Sequence, residues 1–206
     1  MPDTTPLHPP HRLRGSRPSR ILSKQKLLEA WNSSRDSKSR PGAPGSDGVR
    51  AKSFASNLDE NLTRLAYKVA KGLYGFSKLR ARPIERPGKT DRIICIPTVE
   101  DRLVQRALSE HVYNRRLLPI FNSSSFGFIP NTGTRDAIKR CLELRARFDY
   151  AFETDISSFF DTIDRKILLE RLDRRLRRSS VLPLLKGAVT LEIGKSDAEV
   201  EKKKLR

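Results

Sequence analysis

The chain has no apolar run of about 18 residues, so it carries no sequence signature of a membrane-spanning helix. Its N-terminus holds Pro2, Pro6, Pro9 and Pro10 and lacks the apolar centre of a secretory signal. Cysteine is scarce. Cys95 and Cys141, with three histidines, give neither a zinc-ligand spacing nor a disulfide framework. Both have apolar sequence neighbours, which predicts buried, reduced thiols and a cytoplasmic setting. Acid is in short supply as well: 24 Asp and Glu stand against 42 Lys and Arg in 206 residues, a net charge of +18. Hydrophobic residues make up 36% and charged residues 32%, a low apolar and high charged share for a globular chain. That balance suits one or two domains with solvated segments and a polyanionic partner; a merely basic surface is the other reading.

Residues 1–20 combine five prolines with Arg12, Arg14, Arg17 and Arg20 against one acid, Asp3. They predict a flexible basic arm, either an inert tail or a non-specific phosphate contact. A short helix is expected over Ile21–Trp31, with Leu27, Leu28 and Trp31 inward. Residues 33–48 read as a loop. A second helix carries Phe54, Leu58, Leu62, Leu65, Ala66 and Val69 on one face and stops at Gly72. Two strands follow, Lys78–Glu85 half exposed and Arg92–Ile96 better buried, joined by a Pro87–Gly88 turn as a hairpin with cations at its tip. Thr98 caps a long helix whose first turn holds Glu100 and Asp101 and whose inner face is Leu103, Val104, Ala107, Leu108 and Val112. A loop over 121–134 leads to a helix from about Asp136 to Phe148, with Ala137, Ile138, Cys141 and Leu142 inward. Tyr150–Ile156 reads as a strand. A helix follows to about Arg178, and 197–206 read as exposed or frayed. There is no internal repeat, and the pattern is α+β, with helices around short antiparallel strands.

The chemistry concentrates in Phe152–Asp161. A strand ending at Asp155 presents a carboxylate where the chain turns, a position suited to Mg²⁺ beside substrate phosphates. Phe159 and Phe160 then supply a core ring and a pocket wall. The plainer alternative is that Asp155 caps the next helix and both rings are core. At the hairpin, Arg86, Lys89 and Arg92 form either a polyphosphate cradle or a solvated turn.

The order of the segments resembles a family. Ser46-Asp47-Gly48-Val49, then Gly72-Leu73-Tyr74, precede Arg92-Ile93-Ile94-Cys95-Ile96-Pro97-Thr98 with Asp101-Arg102 and Gln105-Arg106-Ala107. Ser125-Phe126-Gly127-Phe128 with Pro130 and Asp136-Ala137-Ile138 comes next, then Asp155-Ile156 through Phe159-Phe160-Asp161. In this order the blocks resemble a bacterial reverse transcriptase of the group II intron or retron-related kind, from about Gly45 to Leu176. The resemblance implies the fingers and partial palm of a right-hand polymerase: fingers over 21–149 and partial palm over 150–206.

It further implies that Asp155 is the first catalytic aspartate and a ligand of both Mg²⁺ ions, with the Ile156 carbonyl a further ligand. Phe160 would wall the sugar pocket against a 2′-hydroxyl. Arg86, where the family usually has lysine, or Lys89 in its place, and Arg92 would contact the triphosphate of a dNTP. An RNA template and a DNA or RNA primer are implied partners. Separately from the resemblance, Arg102, Arg106, Arg174 and Arg175 are candidate nucleic-acid contacts; on an RNA-binding reading the basic arm and the Arg171–Arg178 cluster would grip phosphates with them. Ile129 departs from the pattern, standing where many intron-type relatives carry arginine.

The chain holds no Asp-Asp pair and no Pro/Ser-Gln-Gly motif, both of which follow the first palm motif in the family. The expectation is therefore a polymerase that is inactive as this chain alone: a truncated reading frame, a split enzyme completed by a C-terminal half on a second chain, or an excerpt of a longer protein. The competing expectation is a non-catalytic RNA-binding protein, with a purely structural basic protein behind it. Intron mobility and antiviral defence are the settings such a family suggests.

Overall fold

The computed structural model describes residues 17–38, 42–113, 118–157 and 159–194, with the side chains of Arg86, Lys89–Arg92, Ile120, Phe160 and Asp161 outside that description. The expectations for 1–16 and 197–206 lie outside the described residues. Among these residues the chain divides into two compact units, one from Val112 to Asp164 and one made of the stretch up to His111 with that from Arg165 onward. No helix among them is long and apolar enough to cross a membrane.

In the larger unit, the expected helix over Ile21–Trp31 is broken. Pro18–Ile21 forms α1, and α2 starts afresh at Lys24–Ser33 because the Ser23 hydroxyl accepts from the Lys26 N–H. Leu27, Ala30 and Trp31 are buried, but Leu28 faces solvent. The following loop contains a 3₁₀ turn, Arg35–Ser37. The next helix is also split, into α3 (Ala51–Ser56) and α4 (Leu58–Ala70). Phe54, Leu62, Leu65 and Val69 are buried, and the Trp31 and Phe54 rings lie 5.5 Å apart. Gly72 ends α4 as expected, at φ +70°. Its N–H reaches the Val69 carbonyl and the Leu73 N–H reaches that of Lys68, which is the Schellman pattern.

The hairpin forms as β1 (Arg80–Arg86) and β2 (Lys89–Ile96), antiparallel, with Arg80 opposite Ile96 and Ile84 opposite Arg92. Pro87 cannot take a positive φ, and Gly88 sits at +71°, the combination of a type II turn. Such a turn splays the strands it joins. The register shifts between Ile84 and Arg86, absorbing the mismatch in a bulge. The expected burial of β2 is not found: Ile93 and Ile94 are exposed and Cys95 is half-buried. A two-stranded ribbon has two faces to cover, and among its described side chains only Ala81 is buried.

Helix α5 (Val99–Val112) is the central element. Thr98 caps it, its Oγ1 accepting from the Asp101 N–H at 3.1 Å. Leu103, Val104, Ala107, Leu108 and Val112 are all buried, as the periodicity predicts. Asp101 is 1% exposed. It accepts from the Tyr74 hydroxyl at 2.5 Å and from the Ser77 N–H at 3.1 Å. Gly45 packs so closely on the start of α5 that a Cβ there would lie 2.6 Å from the Thr98 backbone. Past residue 164, α8 (Arg165–Leu176) and α9 (Leu182–Val189) pair around the buried Leu176 and Val181. The sequence reading did not foresee α9. Beyond it, the Leu79 N–H bonds the Glu192 carbonyl and the Gly194 N–H bonds the Leu79 carbonyl, both at 2.8 Å, as Leu79 bridges in parallel to Ile193.

The smaller unit departs most from expectation. Helix α6 (Thr134–Arg145) forms, its entry fixed by the Asp136 carboxylate accepting from the Gly133 N–H, yet none of its residues is buried. Ile138, Cys141 and Leu142 face solvent, so Cys141 is not a buried thiol. Tyr150–Ile156 is irregular and exposed rather than a strand. An amphipathic helix and an extended segment bury their apolar sides only against another layer, and among the described residues this unit supplies none. The helix expected to follow is two, α7 (Phe159–Thr162) and α8.

Two outcomes follow for the larger unit. Gly45→Ala is expected to cost about 1–3 kcal/mol by forcing backbone apart, measured by urea unfolding. Burial first, and then the Asp101 carboxylate, push the Tyr74 phenol well above its ordinary range. The folded chain thus holds this proton more tightly than the unfolded one. The stability involved is complete below the ordinary phenol value of about 10 and is lost as pH rises beyond it. Tyr74→Phe should unfold more easily at neutral pH, by about 1–3 kcal/mol. Its urea midpoint should also fall less steeply above about pH 10 than that of the wild type.

Candidate functional site

The residues expected to act at the site fall on three stretches. The first is the hairpin. Arg86 and Lys89 are register partners across the Pro87–Gly88 turn, and Arg92 lies opposite Ile84. The backbone therefore brings all three positions to one end of a single ribbon. The expectations for their side chains lie outside the described residues.

Beside the ribbon lies a cavity of about 680 Å³, lined by Arg82, Ile84, Ile94, Cys95, Pro97 and Arg102 among others. Arg102 enters it from α5, and its fork is largely taken up by the protein. Nε donates to Asp36 Oδ2 at 2.6 Å, and Nη1 donates to the carbonyls of Pro97 at 2.8 Å and Ala43 at 3.0 Å. Nη2 is buried and has no hydrogen-bond partner among the described residues. Asp36 is itself buried, and its second oxygen accepts from the Gly42 N–H at 3.0 Å. This carboxylate thus ties the loop over 42–44 to α5. Sequence reasoning missed Asp36, because it sits in a polar loop that gives no periodic signal. Arg106 is exposed, donating to the Ser33 hydroxyl at 2.8 Å and pairing with Glu110 at 3.3 Å.

The second stretch is 149–157, every residue of which is exposed. It carries Asp155 and Ile156. A carboxylate and an adjacent main-chain carbonyl are hard oxygen donors, the kind Mg²⁺ takes while keeping several waters. Among the described residues no group of three His, Cys, Asp or Glu gathers as a ready cage. The donors therefore suit part of one cation's shell. Phe159, at the start of α7, is 44% exposed. The expected role of Phe160 concerns a side chain outside the described residues.

The third is the last turn of α8. Arg174 and Arg175 are exposed there, where cations also suit the helix dipole. Neighbouring Asp173 is paired with Lys186 of α9 at 2.7 Å.

Comparison with known proteins bears on all three stretches. A family model for the reverse transcriptase (RNA-dependent DNA polymerase) matches residues 84–199. The Escherichia coli K12 protein YkfC is 30% identical over 154 residues, covering 69% of this chain and 38% of YkfC. A putative COX1/OXI3 intron 2 protein of Saccharomyces cerevisiae is 25% identical over 127 residues, covering 60% of this chain and 14% of that protein. The chain thus spans well under half the length of these curated relatives.

One stability outcome follows from the Asp36–Arg102 contact. Removing one partner of a largely buried ion pair leaves the other charge without its counter-ion. Asp36→Asn should therefore destabilise the chain by about 2–3 kcal/mol in urea unfolding. Arg106→Ala, which breaks only exposed contacts, should cost under about 1 kcal/mol.

Proposed function

We propose, from the premise that the chain belongs to the reverse transcriptase (RNA-dependent DNA polymerase) family, that it supplies the nucleotide-facing fingers and the first metal-binding palm motif of a template-directed polymerase. On this reading 21–149 form the fingers-like region and 150–206 part of the palm, with 1–20 a basic arm. The observation that carries the reading is the continuous family match over 84–199, which takes in the hairpin, Asp155 and α8 together.

The roles follow from the chemistry of nucleotidyl transfer, an in-line displacement in which the protein chiefly positions groups and neutralises charge. Arg86, Lys89 and Arg92 hold the triphosphate of a dNTP, arginine through paired donors. Phe160 walls the sugar and rejects a 2′-hydroxyl by bulk. Asp155 and the Ile156 carbonyl hold Mg²⁺, which when bound stabilises charge on the attacking and leaving oxygens. Arg102, Arg106, Arg174 and Arg175 serve the RNA template and the DNA or RNA primer. Arg102 contributes through the loop it anchors.

One carboxylate holds two hydrated cations poorly, and the sequence has no Asp-Asp pair to join it. The 206-residue chain alone therefore does not polymerise; a C-terminal polymerase half provides the remaining ligands. A second reading, an RNA-binding protein without catalysis, is favoured by the exposed Arg174 and Arg175 on α8.

Primer extension on an RNA template with dNTPs and Mg²⁺ separates these readings. The purified chain should give no product. Addition of a separately expressed C-terminal half from a relative should restore extension, and Asp155→Ala should abolish it while changing RNA affinity by no more than about twofold. Extension by the chain alone would refute the incompleteness, and restored extension that survives Asp155→Ala would refute the catalytic role. Failure of every half to restore extension, alongside salt-sensitive RNA binding, would favour the second reading.

A further inference from the structure

Phe128 is the most exposed large apolar side chain among the described residues, at 101%. Its backbone stands at φ +59°, a region unfavourable for a bulky side chain. It is the third residue of the turn Phe126–Ile129, in which the Ile129 N–H reaches the Phe126 carbonyl at 3.5 Å. A positive φ at that place ordinarily calls for glycine, and the glycine, Gly127, stands one position earlier. The turn is held nonetheless. The Thr132 hydroxyl lies 2.9 Å from the Ile129 carbonyl and 3.1 Å from that of Phe126, and the Thr132 N–H donates to the Ile129 carbonyl at 3.3 Å. The loop thus bonds to itself to keep a ring in water, against both backbone preference and the hydrophobic effect. Conflicts of this kind concentrate where a protein binds or reacts.

The charge around the ring narrows what it meets. From Phe121 to Thr134 the chain carries no charged residue. From Arg135 to Phe148 it then holds five basic residues against two acids. Both acids are engaged locally: Asp136 accepts from the Gly133 N–H at 2.9 Å, and Glu143 pairs with Arg140 at 3.1 Å. The Arg140 Nε also donates to the Ser124 hydroxyl at 3.3 Å, which brings a cation of α6 onto the loop. Arg135 and Lys139 are exposed. An aromatic ring on an uncharged loop, followed by a basic helix, matches what single-stranded nucleic acid offers: a base to stack on the ring and phosphates for the cations. A duplex has its base faces already stacked. A protein pocket for the ring would gain nothing from this surplus of positive charge unless it were itself acidic.

We propose that Phe128 is a stacking platform for one unpaired base of single-stranded RNA, with Arg135 and Lys139 of α6 taking adjoining phosphates. The self-bonded turn sets the ring outward in advance, so binding does not have to order it. This deepens the proposed function by adding a base contact to the phosphate contacts of the arginines, and it rests on that reading in taking the polyanion to be RNA.

The test is fluorescence anisotropy of the 206-residue chain with a labelled oligoadenylate and with a blunt RNA duplex of equal length, both in EDTA. Phe128→Ala should weaken oligoadenylate binding about tenfold at every salt concentration and leave duplex binding within about twofold. Phe128→Trp should bind the oligoadenylate at least as tightly as the wild type. Phe128→Gly fits the turn, so its urea midpoint should equal or exceed that of the wild type while its affinity falls with that of the alanine variant. Stability and affinity then move apart, which a merely structural ring would not produce. Arg135→Gln with Lys139→Gln should lower the slope of log affinity against log salt by about one. Oligoadenylate binding by Phe128→Ala within about twofold of the wild type would overturn the proposal, and is the outcome expected if the ring serves a protein pocket instead. Equal losses on oligoadenylate and duplex, or no oligoadenylate binding by the wild type, would overturn it too. The assay involves neither Mg²⁺, dNTPs nor a C-terminal half, so failure here leaves the extension assay to judge the polymerase reading separately.

Discussion

A carboxylate at the first turn of α5 fixes the geometry of the larger unit. Asp101 is almost wholly buried, a position that a charged group holds only with its acceptor sites filled. The Tyr74 hydroxyl and the Ser77 N–H fill them, and both come from the connection between α4 and the hairpin. One residue further on, Arg102 reaches the other way, to Asp36 and the carbonyls of Ala43 and Pro97. Two adjacent residues on one helix thus gather the loop before α3 and the approach to β1 around a single helical turn. Glu100, just before them, takes Arg64 and Lys68 of α4, each at 3.3 Å.

These contacts explain why some elements were legible in the sequence. The α5 face could be read from spacing because a 3.6-residue period and a threonine cap act locally, and the face so read is buried. Gly72 was readable as a stop because only a positive φ completes that helix end. The Pro87–Gly88 turn was readable for the same reason. What spacing could not reveal was Asp36, whose burial depends on a partner 66 positions away in the chain, and Gly45, whose missing side chain makes room for a backbone that arrives much later.

The errors share one cause. The burial of Ile93–Ile94, the inward side of α6 and the Tyr150–Ile156 strand were all assigned from local composition and pattern. Pattern reports what a segment would bury given a partner, and partners are a matter of tertiary arrangement. Where the described residues provide a second layer, as for α5, the assignment held. Where they do not, the same kind of pattern lies open to solvent. The family was legible in the blocks, and the family match over 84–199 bears that resemblance out. The roles of the individual side chains belong to the functional proposal.

The parallel bridge between Leu79 and Ile193 has a consequence for how the chain comes together. It closes a loop on the order of a hundred residues, whose entropic cost must be met before the contact returns anything. During synthesis the ribbon at 80–96 leaves the ribosome long before its basal clamp does. The ribbon can zip early from its tight turn, while its lower end waits for the last helix pair to emerge. A chaperone or the translating ribosome would therefore meet the ribbon as an early, half-anchored intermediate.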